Sequence, residues 1–72
     1  MKYSVIIEKG NSGYGAFVPD LPGCIAAGET KEETIELIKG AIEFHIEGLL
    51  DEHQPIPAAH CNIEMVDVAI AA

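Results

Sequence analysis

The tightest constraint on this chain is the run Val18-Pro19-Asp20-Leu21-Pro22-Gly23-Cys24, followed at once by Gly28-Glu29-Thr30. Proline fixes φ and lacks an amide donor, and glycine admits the positive φ that tight turns need. Two prolines and a glycine within five residues therefore neither continue a strand nor start a helix in place. The run reads as a rigid corner between two strands, with Gly28 to Thr30 turning into a helix. How the two halves of the chain meet depends on that corner.

Before the corner, Tyr3, Val5 and Ile7 alternate with Lys2, Ser4 and Glu8, the period-2 pattern of a strand with one buried face. Ile6 makes the second face partly apolar. Lys9 to Gly13 is a turn cluster, and Tyr14 to Val18 is a second short strand, completing a hairpin. The glycines at 10, 13 and 15 do not make a phosphate loop. They feed a strand rather than a helix and lack the Gly-Lys-Ser/Thr ending.

After the corner, Cys24 to Glu29 reads as a third, narrow strand rich in Ala and Gly. Thr30-Lys31-Glu32-Glu33 matches a capping box, and the acids suit the positive end of a helix dipole. The helix is expected from Lys31 to Leu50 or Glu52. Ile35, Ile38, Ala41, Ile42, His45, Ile46 and Leu49 form its core stripe, and Glu32, Glu36, Lys39, Glu43 and Glu47 its wet face. Pro55-Ile56-Pro57 stops the helix and extends the chain. Asn62 to Ile70 reads as a last strand, with Val66, Val68 and Ile70 on one face and Ile63 and Met65 on the other. The expected fold is α+β: one domain, 1–72, a β-β-β-α-β two-layer sandwich. One helix covers one sheet face, so the other, with Ile6, Phe17, Ile63 and Met65, is left open. Open apolar faces mark interaction sites.

Seventy-two residues allow a small core, and a domain of this size gains from association with a partner or another copy. Twelve acids against four lysines and no arginine give a formal charge of −8. Phosphate backbones repel such a chain, whereas a basic protein is steered toward it. Two cysteines are too few for a disulfide framework. The N-terminal apolar run is too short for a secretory signal, and no stretch approaches a membrane span. A cytoplasmic protein with reduced thiols is expected.

No enzymatic constellation emerges. Asp51, Glu52, His53, His60, Cys61 and Glu64 lie near one another, but their spacing matches none of the usual zinc patterns. Neither a metal nor a cofactor is expected on that spacing. Cys24 lacks a histidine partner in the sequence and reads as core packing. His45 falls on the apolar side of the helix, as a core or interface histidine rather than a base.

These residues resemble the HicB-type antitoxin family over nearly the whole chain. The densest likeness is Gly13-Tyr14-Gly15-Ala16-Phe17-Val18-Pro19-Asp20-Leu21-Pro22-Gly23-Cys24, continuing through Gly28-Glu29-Thr30, Glu33 and Pro55-Ile56-Pro57. The resemblance implies a partial ribonuclease-H-like fold and no catalysis, since Ser4 and Ile6 stand where a nuclease would carry its leading Asp. It further implies binding to a small basic HicA-type toxin, a messenger-RNA endonuclease whose active site is masked. Thr34 departs from the family, which usually has alanine there. Family members commonly add a C-terminal DNA-binding domain; none is read in these 72 residues, so sequence-specific DNA binding is not expected.

The expected function is thus a non-catalytic, toxin-neutralising module that also forms a homo-oligomer, a dimer or tetramer. The alternative is a self-associating protein of the same fold without a toxin. The expected interface is the corner at Asp20, Leu21 and Pro22 together with helix acids Glu32, Glu36 and Glu43. A structural turn and a solvated face explain the same residues equally well.

Overall fold

The computed structural model describes residues 1–70. Strands β1 (Ile6–Lys9), β2 (Tyr14–Phe17) and β3 (Ile25–Gly28) form an antiparallel sheet in the order β1-β2-β3. Helix α1 (Lys31–Asp51) lies across β2 and β3. The α+β layering and the first four elements follow the sequence pattern, to within one residue at most boundaries, although β1 starts only at Ile6 rather than at the Lys2–Tyr3 start of the alternation.

Strand register decides which side chains meet the helix. Ile7, Ala16 and Ala26 align across the three strands, and all three belong to the core or pack against it. One residue out of phase, Ile6, Phe17 and Ile25 form a second aligned row on the opposite face. No element covers that row among the described residues, and Ile25 is 70% exposed. Of the open apolar face expected from the sequence, Ile6 and Phe17 are there, joined by Ile25, which the sequence reading missed, whereas Ile63 and Met65 belong to no strand of the sheet.

The corner is a closed loop rather than a simple bend. Val18 N–H donates to Cys24 O, Leu21 N–H to Val18 O, and Cys24 N–H to Leu21 O, at 3.1–3.2 Å. Gly23 takes φ 85°, where a Cβ would be strained. The result drives Leu21 into the centre of the molecule, where it joins Ala16, Val18, Cys24 and Ile38 with no exposed surface. Hydrophobic burial of this kind, not the loop's own bonds, is what the corner contributes to stability.

The capping box forms with one variation. Thr30 Oγ1 accepts from Glu33 N–H at 3.1 Å, but Glu33 reaches back to the amide of Glu29, one residue before the cap. Thr34 is fully buried and donates its hydroxyl to Thr30 O at 2.7 Å. A Cβ at Gly28 would stand 2.8 Å from that hydroxyl, so β3 and the helix start can approach only through glycine. Thr34, rather than the expected Ile35, occupies the inward position; Ile35 is 41% exposed at the flank. The helix ends before Pro55: the amides of Glu52, His53 and Gln54 close on the carbonyls of Gly48, Leu50 and Leu49, and His53 adopts φ 56°.

The expected last strand is the main correction. Residues 62–70 form no ladder with the sheet, and Met65, Val66, Val68 and Ile70 are exposed. A strand apolar on both faces needs cover on both sides. The one helix of the described residues already lies on the sheet's inner face, leaving no second layer for it. The preceding segment is held by polar contacts instead: Tyr3 Oη donates to Pro57 O at 2.6 Å, and Ser4 Oγ to Cys61 O at 2.9 Å.

Candidate functional site

Asp20 sits at the bend of the corner between Pro19 and Leu21, and its side chain is sequestered from solvent. The chain leaving α1 returns across it. Asp20 Oδ2 accepts the amides of His60 and Cys61 at 3.2 and 3.3 Å, and Oδ1 lies 2.7 Å from His60 Nδ1. Apart from that ring contact, no partner meets Oδ1. The Cys61 thiol also points at the carboxylate. That thiol contact is the largest influence holding Asp20 below its ordinary value of 3.8, with the two amides and the imidazole adding to it and burial opposing. The same contact, with burial, pushes the Cys61 thiol up. Carboxylate oxygen, imidazole nitrogen and thiol sulfur all lie within 4.8 Å of one another.

No local spacing rule could have found this cluster. Asp20 is 40 residues from His60 and 41 from Cys61. Only the closed corner and the return of the chain after the helix bring them together. The residues that seemed close in sequence do not converge on it: Asp51, Glu52, His53 and Glu64 are exposed and take no part. Cys24 is buried in the apolar core, which pushes its thiol up, and His45 is half-buried on the inward side of α1.

The expected interface residues divide between the interior and the surface. Asp20 and Leu21 are buried, so their side chains shape the corner from within, and Pro22 is exposed. Glu32, Glu36 and Glu43 are exposed along α1, as their spacing predicts. This acidic helix surface and the apolar Ile6–Phe17–Ile25 row lie on opposite layers of the molecule, because α1 covers the other side of the sheet. Among the described residues, no helix is long and apolar enough to cross a membrane.

Comparison with known proteins agrees with this architecture. A protein from the rep-hol intergenic region of Haemophilus phage HP1 is 47% identical over 60 residues, which is 83% of this chain and 45% of the phage protein. The chain thus spans less than half the length of that relative. The UPF0150 protein ssr1765 of Synechocystis is 42% identical over 94% of this chain and 87% of its own length. A chain of a solved HicA3 and HicB3 toxin-antitoxin complex superposes with a TM-score of 0.71 at 32% identity, covering 83% of this chain and 70% of that one. The family model for the HicB-like antitoxin of bacterial toxin-antitoxin systems matches residues 3–70. With a match that takes in the corner, the sheet, the helix and the returning segment, the chain belongs to the HicB-like antitoxin family.

Proposed function

We propose that the chain is a non-catalytic binding module that neutralises a small, basic HicA-type messenger-RNA endonuclease by masking its active site. The observation that carries this reading is the superposition on a chain of a HicA3–HicB3 complex. The charge of −8 supports it, since an acidic surface steers a basic nuclease and repels the nuclease's own RNA substrate. Within this reading Pro22 and the exposed acids Glu32, Glu36 and Glu43 meet the toxin, while Asp20 and Leu21 fix the corner behind Pro22. Direct nucleic-acid binding, a membrane and catalysis form no part of it, and its setting is the cytoplasm.

A second reading has its own observation. The aligned Ile6–Phe17–Ile25 row and the exposed apolar residues of 62–70 favour self-association into a dimer or tetramer, with or without a toxin. The test is capture of the tagged protein from its native lysate at low salt, followed by RNA-cleavage assays on any small basic protein recovered. Near-equimolar recovery, release by high salt and suppressed cleavage are expected. Recovery of self-assembled copies alone, under conditions where a control antitoxin keeps its toxin, would leave only the second reading.

A further inference from the structure

We propose that Asp20, His60 and Cys61 form a site for a borderline-soft divalent cation, zinc by the chemistry of the donors. The three side chains bring one oxygen, one nitrogen and one sulfur to within 4.8 Å of one another. Ligand atoms around a tetrahedral zinc, with bonds of about 2.0–2.3 Å, stand roughly 3.3–3.8 Å apart, so closing on a metal needs side-chain movements of about an ångström. Thiolate and imidazole donors select zinc over magnesium or calcium, which prefer all-oxygen shells.

A second observation is that the carboxylate of this cluster is buried and already aimed at the other two donors. The Asp20 side chain has no solvent exposure, and its carboxylate is met by the imidazole nitrogen at Oδ1 and by the Cys61 thiol. That nitrogen in turn faces two oxygens, Asp20 Oδ1 at 2.7 Å and Ala58 O at 3.2 Å. Without a metal an Nδ1–H donates to these oxygens, and a cation bound at Nδ1 takes the place of that proton. A cation between Oδ1, Nδ1 and Sγ replaces that hydrogen bond and neutralises the buried carboxylate.

The surroundings are already suited to holding ligands in place. Oδ2 is fixed by the amides of His60 and Cys61, which orients the carboxylate with Oδ1 toward the cluster, as outer-shell hydrogen bonds do in metal sites. The His60 side chain is 77% exposed, so a cation has access from solvent and water completes its shell. Binding deprotonates the Cys61 thiol, and the proton leaves to solvent. The bound ion fastens the segment after α1 to the corner. This inference does not rest on the antitoxin reading.

The experiment titrates the full chain, kept reduced and stripped of metal by a chelator that is then removed, with Co²⁺ alone and then Zn²⁺. Expected are a thiolate-to-cobalt charge-transfer band that saturates at one equivalent per chain, and its loss on adding zinc. Cys61→Ser abolishes the band, and His60→Ala weakens cobalt affinity by at least about tenfold, the loss typical of disturbing even an outer shell. Cys24→Ser leaves it unchanged. Far-UV circular dichroism on each variant establishes that it is folded, and both His60 and Cys61 lie outside the core. Absence of saturable cobalt uptake by the wild-type chain would overturn the proposal. So would a band that survives Cys61→Ser, a band lost in Cys24→Ser, or half an equivalent per chain.

Discussion

Leu21 and Leu37 are the same residue type at opposite extremes of burial, and that contrast tests the account of the corner. Leu21 has 0% of its surface exposed, whereas Leu37 on α1 has 46%. Truncating a buried leucine to alanine costs about 2–5 kcal/mol, the upper half applying where neighbours cannot close the cavity. Leu21 is such a case, held in a loop closed by the Val18–Cys24, Val18–Leu21 and Leu21–Cys24 backbone bonds and flanked on its C-terminal side by Pro22. A loss of about 3–5 kcal/mol is therefore expected for Leu21→Ala. A domain of 72 residues has only about 4–11 kcal/mol in total, at about 0.05–0.15 kcal/mol per residue. The melting temperature should fall by at least about 12 °C, taking about 4 °C per kcal/mol as the lower figure for this size. Leu37→Ala should lose about 1 kcal/mol or less, since part of its side chain is in water already and alanine is the better helix former. Urea and thermal unfolding followed by far-UV circular dichroism measure both. Equal losses for the two variants, or a Leu21→Ala loss below about 1 kcal/mol, would refute the placement of the corner in the core.

Three further outcomes follow from particular contacts. Thr30→Ala removes the oxygen that accepts from Glu33 N–H and should cost about 1 kcal/mol in urea unfolding, whereas Thr30→Asp should recover most of it. Gly23→Ala places a Cβ at φ 85° in otherwise open space, so its cost is purely conformational, about 1 kcal/mol, and Gly23→Asn should cost less. Burial raises the folded Cys24 thiol above its ordinary 9.0, so this contribution is fully present below pH 9 and is lost as pH rises toward and through the folded value. Stability should fall above pH 9 in the wild-type chain and less so in Cys24→Ser, as read by urea midpoints across the alkaline range.

The parts of the fold that were legible in the sequence are those written in local chemistry. The Pro-Gly corner, the Gly10–Gly13 turn, the cap at Thr30 and the 3.6-residue rhythm of α1 each depend on neighbours within a few positions. The Ile35 error came from ranking by hydrophobicity. Threonine at 34 can enter the core because its hydroxyl is satisfied by Thr30 O one turn earlier. The unformed last strand failed for the opposite reason: its pattern is strand-like, but pairing depends on a neighbouring layer that the pattern cannot supply. The run of Ala and Gly around Ile25 hides which face it takes until the register with Phe17 is known. Asp20 stands at the corner as its sequence position predicts, but its side chain is buried rather than at a surface. Its partners 40 and 41 residues away were invisible to any rule of spacing.

The closure of the corner also limits how the length of this chain can vary. Val18 and Cys24 face each other across the end of the sheet, which leaves five residues, 19–23, to make the reversal. A single residue inserted or removed there shifts β3 by one position against β2. Because side chains alternate faces, such a slip would carry Ile25 inward and Ala26 outward, inverting one strand of both the core and the open face. Substitutions within the five positions act one contact at a time, while a change in their number exchanges inside for outside. Drift in loop length should therefore be tolerated between β1 and β2, at the exposed tip around Asn11 and Ser12, and be nearly forbidden between β2 and β3.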